Sequence, residues 1–304
     1  MRALVVDPEV PGALRFGTAP DPAPGPGRLV LDVRHLSLNR GEIAGAAALP
    51  PGTVHGYDAA GVVRHAATDG TGPAEGTRVV AFGAGAWAER MAVEVTAVAA
   101  VPDGVDLADA AALPMAGLTA LRALRTRPIL GRRVLITGAA GGVGRYAVQL
   151  AALGGAHVIA SVGSPARAAG LAALGAAEVV TGLDGVGEPV DLVIDNVGGP
   201  QLAAAWRLLA PGGGVQSIGW ASGEPAVFEP GSLFALGPAR TISSFGDVRE
   251  PGPDLGTLVS LVASGRLSPE VGLRGSWEGI AEAAAALLGR RVAGKAVLDV
   301  TPAA

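Results

Sequence analysis

The sequence predicts an α/β protein: a doubly wound parallel sheet inserted between two end segments that together form a second, mainly β domain. Three observations carry this. Between about residues 119 and 250, short apolar runs alternate with helical stretches of ten or so residues. Those runs are apolar nearly without a break, as strands are when helices cover both faces of a parallel sheet. Residues 1–118 instead carry short alternating runs cut by Pro and Gly turns, the pattern of a mainly β segment.

Taken in order, residues 1–7, 29–33, 61–64 and 77–81 read as strands, and residues 20–27 as a Pro/Gly loop that cannot be helical. From residue 119 the rhythm changes. Residues 133–137, 157–162, 178–180, 191–195, 215–218 and 240–244 read as six strands. Residues 145–153 have helical composition and stop at Gly154-Gly155. Ser164-Pro165 opens a helix expected to run to Leu174, with Ser at the cap and Pro at the first position. Residues 201–210 form the next helix, ended by Pro211 and three glycines. After Pro251 come helices over 255–263 and 277–288 and a final strand over 296–300. That tail is too short for a domain of its own. The expected domains are therefore 1–118 with 251–304, and 119–250.

Composition narrows the function classes. The net charge is −4 and no basic run occurs, so the concentrated Lys/Arg face of a nucleic-acid binder is missing. The chain has no cysteine, which excludes disulfides, thiolate catalysis and Cys-ligated metals. No long apolar run suggests a membrane span, and the first residues are charged too soon for a signal peptide, so a cytoplasmic protein is expected.

The candidate site is the turn Thr137-Gly138-Ala139-Ala140-Gly141-Gly142-Val143-Gly144. Glycine makes up 47 of 304 residues, so three fixed glycines recur by chance about once in such a chain. Context gives the motif its weight. It follows an apolar strand and opens a helix, which aims backbone N–H groups and the helix dipole at a pyrophosphate. At the end of the second strand, where an NAD site carries Asp or Glu for the ribose hydroxyl, stands Ser161. Arg167 follows and would hold a 2′-phosphate, with Ser161 and Ser164 donating hydrogen bonds to it, which makes the cofactor NADPH. The alternative is that Arg167 is an ordinary surface arginine.

The order of motifs resembles the medium-chain dehydrogenase/reductase superfamily, in its zinc-independent quinone oxidoreductase and enoyl reductase branch. The matching pieces are Ser37-Leu38-Asn39-Arg40-Gly41-Glu42, residues 55–63, Gly85-Ala86-Trp87-Ala88-Glu89, residues 110–120, the Gly-rich turn, Asp195-Asn196-Val197-Gly198-Gly199 and residues 294–298. The resemblance implies a Rossmann-type cofactor domain inserted in a GroES-like catalytic domain. It implies that Asn39 and Thr119 face the nicotinamide, and that Ala140, Gly141, Gly142 and Val143 hold the pyrophosphate. Asn196, Val197, Ile218 and Gly219 would line the cofactor path, with Ser243 to Phe245 closing it. Where zinc-dependent members carry Cys, His and Cys, this chain has Asn39, Tyr57 and Met115, so no metal is expected. Some relatives place a Tyr near the 2′-phosphate where this chain has Thr181-Gly182. A homodimer is implied, with residues 240–244 pairing across a two-fold axis.

Tyr57 and Asn39 are the candidate catalytic residues. Tyr57 either donates a proton to the substrate carbonyl or packs in the wall. Glu42 and Asp58 organise the site by hydrogen bonds. Arg40 binds an acidic group or is solvated, and Lys295 lies near the cofactor or at the surface. Two function classes stay open: an NADPH-dependent, zinc-free reductase of a quinone or an α,β-unsaturated carbonyl or enoyl thioester, and a non-catalytic NADPH-binding redox sensor.

Overall fold

The computed structural model describes residues 1–234 and 236–300. Two compact units emerge, Met1–Leu118 with Val248–Ala304, and Thr119–Asp247. The first opens with an antiparallel pair, β1 (Arg2–Val6) and β2 (Leu14–Thr18). It continues with β3 (Arg28–Leu38), α1 (Arg40–Gly45), β4 (Asp58–His65), β5 (Arg78–Phe82), β6 (Arg90–Glu94) and β7 (Val98–Ala100). Two helices follow, α2 (Leu107–Ala111) and α3 (Pro114–Leu124). Asp106 caps α2 by accepting the Ala108 N–H, so the helix starts where the chain supplies a carboxylate.

The second unit holds β8 (Arg133–Ile136), α4 (Gly142–Leu153), β9 (His157–Val162), β10 (Glu178–Thr181), β11 (Val190–Asp195), α5 (Gly199–Arg207), β12 (Leu209–Ser217) and β13 (Thr241–Ser244). Every pairing is parallel, in the order β10-β9-β8-β11-β12-β13. Counted within the unit this is 3-2-1-4-5-6, which reverses between β8 and β11. The crevice outside the strand ends at such a reversal is where doubly wound sheets take ligands.

Two expectations need correction here. The helix expected over 164–174 is a single 3-10 turn, Pro165–Arg167, followed by further turns. Gly170 and Gly175 adopt positive φ (79° and 105°), which interrupts helical progression, and Leu171 alone anchors the segment in the core. The run Pro211-Gly212-Gly213-Gly214 does not end α5 from outside. It lies inside β12, where Gly213 meets the Ala210 and Asp191 carbonyls too closely for a side chain.

The chain returns to the first unit with α6 (Gly252–Ala263), β14 (Val271–Ser276), α7 (Ile280–Leu288) and β15 (Lys295–Asp299). A seven-stranded sheet then runs β14-β15-β3-β4-β5-β7, with β6 also paired to β3. Its core gathers Leu29, Leu31, Leu36, Met91, Trp87 and Trp277, all nearly fully buried. Strand register, more than packing, positions the polar residues. Ala296 pairs with Leu38, and Ser37 pairs with Asp58. Three positions far apart in sequence, 39, 58 and 295, are thereby brought to one end of the sheet. No helix among the described residues is long and apolar enough to cross a membrane.

Candidate active site

The turn from β8 into α4 depends on three glycines for different reasons. Gly138 holds φ +60°, and a Cβ there would press on Val197 Cγ2 at 3.3 Å. Gly141 caps α4 in an extended conformation, and its N–H donates to the Gly138 carbonyl at 3.0 Å. Gly144 is the tightest: a Cβ would sit 2.5 Å from the Gly138 oxygen and 2.6 Å from Ala139 Cα. The first turn of α4 therefore lies directly against the loop. The leading N–H groups of a helix have no partner within it, and the helix dipole adds positive potential there. Gly141, Gly142 and Val143 are partly exposed, whereas Ala140 is buried. The Ala139 N–H donates to Ser161 O at 3.0 Å and ties the turn to the end of β9.

Across the reversal, Thr137 and Asp195 staple β8 to β11. Thr137 Oγ1 donates to Asp195 Oδ1 at 2.6 Å and accepts the Asn196 N–H at 3.0 Å. Asp195 also accepts from the Val197 and Gly198 amides at 3.3 and 3.0 Å. Burial pushes the Asp195 carboxyl upward in pKa, against these hydrogen bonds. Asn196 Nδ2 donates to the Thr137 carbonyl at 2.8 Å, while its Oδ1 is buried with no partner. A buried acceptor left unpaired costs about 1–3 kcal/mol. That oxygen keeps its full capacity to accept an N–H or O–H group. The Ile218 and Gly219 N–H groups both donate to Asp195 O, at 2.8 and 3.2 Å, and hold the next strand end beside it. Ser243 and Phe245 are half-buried at the end of β13, and Phe245 N–H donates to Ser217 O at 3.2 Å.

The glycine cradle and the orphaned oxygen fit a dinucleotide. The 2′ end is less uniform. Ser161 is fully buried, its hydroxyl donating to Gly182 O at 2.7 Å and accepting from Gln201 Nε2 at 3.2 Å. It is spent on structure rather than offered to a phosphate. Ser164 precedes the 3-10 turn and Arg167 ends it, both half-buried. Sequence reasoning missed Arg145, buried in the first turns of α4 and donating to Ala169 O at 2.8 Å.

In the first unit, Asn39 is the hub of a buried network. Its Nδ2 donates to Glu42 Oε2 at 2.8 Å and to Asp58 Oδ2 at 2.9 Å. Its Oδ1 accepts from Lys295 Nζ at 2.6 Å, and Lys295 also reaches Asp58 Oδ2 at 3.2 Å. The second Asp58 oxygen accepts the Met115 N–H at 2.9 Å. Both amide hydrogens of Asn39 are thus committed within the network. Asn39 offers a ligand one remaining lone pair and no donor, which narrows the catalytic part expected for it. Lys295 is 2% exposed, so of its two expected settings the surface one is excluded.

The network contains two carboxyls and one ammonium, all buried. Burial, and then the neighbouring charge of Asp58, push the Glu42 pKa up to about 8, so Glu42 is a neutral acid at pH 7. Its Oε2 already accepts the Asn39 N–H as well as Nδ2, at 3.0 and 2.8 Å. Its Oε1 is buried without a partner, and the proton belongs there.

Tyr57 stands next to Asp58, half-buried, its ring stacked on Phe82 with centroids 5.8 Å apart. Gly56 makes this possible: at φ +90° it lets Trp87 pack where a Cβ would lie 2.1 Å from the indole. Arg40 is half-buried and turned toward the end of α7. Its guanidinium donates to Leu287 O and Leu288 O, at 3.3 and 2.7 Å, and caps the C-terminus of α7. The histidines are structural: His55 pairs with Glu42 O, His35 with Asp299, His157 with Glu178 and His65 with Glu75. Thr119 is buried on α3.

Comparison with known proteins places this arrangement. A family model described as zinc-binding dehydrogenase matches residues 150–298. The quinone oxidoreductase structure from Coxiella burnetii is 26% identical, with a TM-score of 0.85 and coverage of 99% of both chains. In sequence and fold the chain is similar to the medium-chain dehydrogenase/reductase superfamily. Within the superfamily it fits the zinc-independent quinone oxidoreductase branch. A mycobacterial structure complexed with NADPH is 26% identical, with a TM-score of 0.87 and coverage of 98% of this chain and 99% of that one. The spectinabilin polyketide synthase protein NorB of Streptomyces orinoci is 33% identical over 298 residues, 91% of this chain. The chain spans only 13% of NorB, and 6–9% of the other polyketide synthases it matches.

Proposed function

We propose that the chain is an NADPH-dependent, zinc-free reductase that reduces a quinone or an α,β-unsaturated carbonyl, including an enoyl thioester. The observation that carries this reading is the glycine cradle at the sheet reversal, faced by the buried, unpartnered Asn196 Oδ1. Gly141, Gly142 and Val143 would hold the pyrophosphate through backbone N–H groups, and Asn196 Oδ1 would accept from the ribose or carboxamide. Ser164 and Arg167 would hold the 2′-phosphate. When bound, the cofactor supplies a hydride, and a quinone that gains it together with a proton leaves as hydroquinone while NADPH becomes NADP⁺.

The chain's own residues supply orientation and the proton. Tyr57 carries a hydroxyl that makes no hydrogen bond among the described residues, and we assign it as donor to the acceptor oxygen. Asn39, Glu42, Asp58 and Lys295 hold the strand ends beside it in one arrangement. Zinc does not fit. The chain has no cysteine, and the Lys295 ammonium lies 2.6 Å from the Asn39 oxygen, where it repels a cation. Among the described residues no group of three His, Asp or Glu side chains is placed to bind one.

NADPH oxidation with a panel of quinones, enones and enoyl thioesters tests the activity. Tight NADPH binding with no turnover on any of them sinks the enzyme and leaves the redox-sensor reading. Tyr57→Phe is expected to lower kcat about 100-fold while leaving NADPH affinity intact; unchanged kcat removes Tyr57 from the chemistry. Arg167→Ala is expected to weaken NADPH roughly 10- to 100-fold, the value of a charge-assisted phosphate contact, with NADH nearly unaffected. Equal losses for both cofactors would refute the 2′-phosphate role.

We also propose a homodimer. The outermost strand β13 pairs on one side only, with β12, and nearby Leu233, Phe234, Leu236 and Ile242 are exposed, Leu236 almost completely. Such an edge and patch favour isologous pairing. Sedimentation at micromolar concentration should give a dimer, dissociated by Ile242→Lys; a wild-type monomer ends this reading.

A further inference from the structure

The second unit ends its strands in an aromatic that the cofactor reading does not use. Trp220 follows Ile218 and Gly219, whose N–H groups are both tied to Asp195 O. Of the chain's four tryptophans, Trp87 and Trp277 are fully buried and Trp206 is 5% exposed, whereas Trp220 is 48% exposed.

Trp220 is exposed but not loose. Its Nε1 donates to Glu224 O, and the Gly223 N–H returns to Trp220 O at 3.2 Å. The Ser222 N–H donates to Val197 O at 2.9 Å and fastens this turn onto the loop after β11. The ring covers Gly198 so closely that a Cβ there would meet Cδ2 at 2.6 Å and Cγ and Cε3 at 2.9 Å. The nearest atom is the ring-fusion carbon Cδ2, with its bonded neighbours Cγ and Cε3 equally far beyond it, so the ring lies face-on to Gly198. Gly198 takes φ +69°, a conformation that also favours glycine. One face and the N–H edge are therefore fixed, while about half of the side chain stays exposed to solvent.

Location gives that exposure a meaning. In the order 3-2-1-4-5-6, β11, β12 and β13 form the half that takes the second mononucleotide, the nicotinamide end. Trp220 stands at the carboxyl end of β12, next to Asn196 and Val197, with Phe245 at the neighbouring end of β13. A preordered indole face loses little entropy on stacking a flat ring, and it gains least from a flexible acyl chain.

We infer that Trp220 is a specificity-determining residue that stacks a planar conjugated ring of the acceptor, so that the substrate class is quinonoid or aryl-conjugated rather than an aliphatic enoyl thioester. This rests on the reductase reading above. The test compares wild type with Trp220→Leu and Trp220→Phe, using 1,4-naphthoquinone and crotonyl thioester with NADPH. Calorimetric binding of 1,4-naphthoquinone in the presence of NADP⁺ is measured alongside.

Trp220→Leu should lower kcat/KM for the quinone about tenfold, mainly through KM, and weaken its binding by a similar factor. Trp220→Phe should restore most of both, and NADPH affinity should not change. Crotonyl thioester, if it turns over at all, should change less than twofold. If wild type binds the quinone but does not reduce it, and Trp220→Leu loses that binding, the reductase reading fails and the stacking assignment stands. If wild type reduces the quinone and Trp220→Leu matches it, the assignment is overturned and the reductase reading stands. Absence of quinone binding to wild type, or equal losses with both acceptors, also overturns it.

Discussion

Replacing Gly144 with alanine should raise the Kd for NADPH about 100-fold, a loss of close to 3 kcal/mol of binding. The cause is steric. The new methyl would lie 2.5 Å from the Gly138 oxygen and 2.6 and 2.7 Å from the Ala139 Cα and carbonyl carbon, all backbone atoms. None of them can turn aside as a side chain does, so α4 and the loop must separate. That re-aims the Gly142 and Val143 N–H groups, whose value to an anion depends on convergence. Overpacking of this kind also costs about 1–3 kcal/mol of stability. Gly187→Ala is the matched control, since a Cβ there meets nothing within 4 Å. Titration of NADPH fluorescence reads the effect, and a Kd within threefold of wild type would show that the turn is not the pyrophosphate cradle.

The second large effect is on stability rather than binding. Glu42 titrates at about 8 in the folded chain, raised by burial first and by Asp58 second, against an ordinary value of 4.5. A carboxyl whose folded pKa lies above its unfolded one leaves the native state holding more protons between the two values. Unfolding free energy then falls as pH rises through that window, by up to about 1.4 kcal/mol per pH unit. Glu42→Gln keeps a neutral side chain of the same shape, and it has no proton to lose. The variant should match wild type near pH 5 and exceed it by about 2–4 kcal/mol at pH 8.5. Urea unfolding at both pH values measures this. Parallel pH profiles for the two proteins would mean that the carboxyl is ionised and solvated at neutral pH.

The parallel sheet could be read from the sequence because its strands are continuous apolar runs and its turns are written in glycine. Five of the six strands of the second unit lie where the apolar runs put them, and β12, expected over 215–218, begins at Leu209 and takes in the glycines expected as a turn. The first unit was less legible. Strands β2, β6, β7 and β14 escape because the first three are short and β14, Val271–Ser276, is broken by Gly272 and Gly275. Gly272 is required there, since a Cβ would lie 1.9 Å from Ala293 O. Helix propensity misled at residues 164–174, where positive-φ glycines outweigh an alanine-rich composition.

The sequence by itself determined the cradle: the strand, the glycines, the helix after them and the absence of cysteine are all local facts. The tertiary structure alone decided how charge is distributed. Asn39, Asp58 and Lys295 meet only because β15 and β4 flank β3 in a particular register, and no window of sequence contains that pairing. The same holds for the neutral state of Glu42, which comes from burial beside Asp58, and for the seating of the half-exposed Trp220 ring, which lies flat because Gly198 is beneath it. Local chemistry is written in neighbouring residues, whereas desolvation and coupling between charges arise when distant segments are folded against one another.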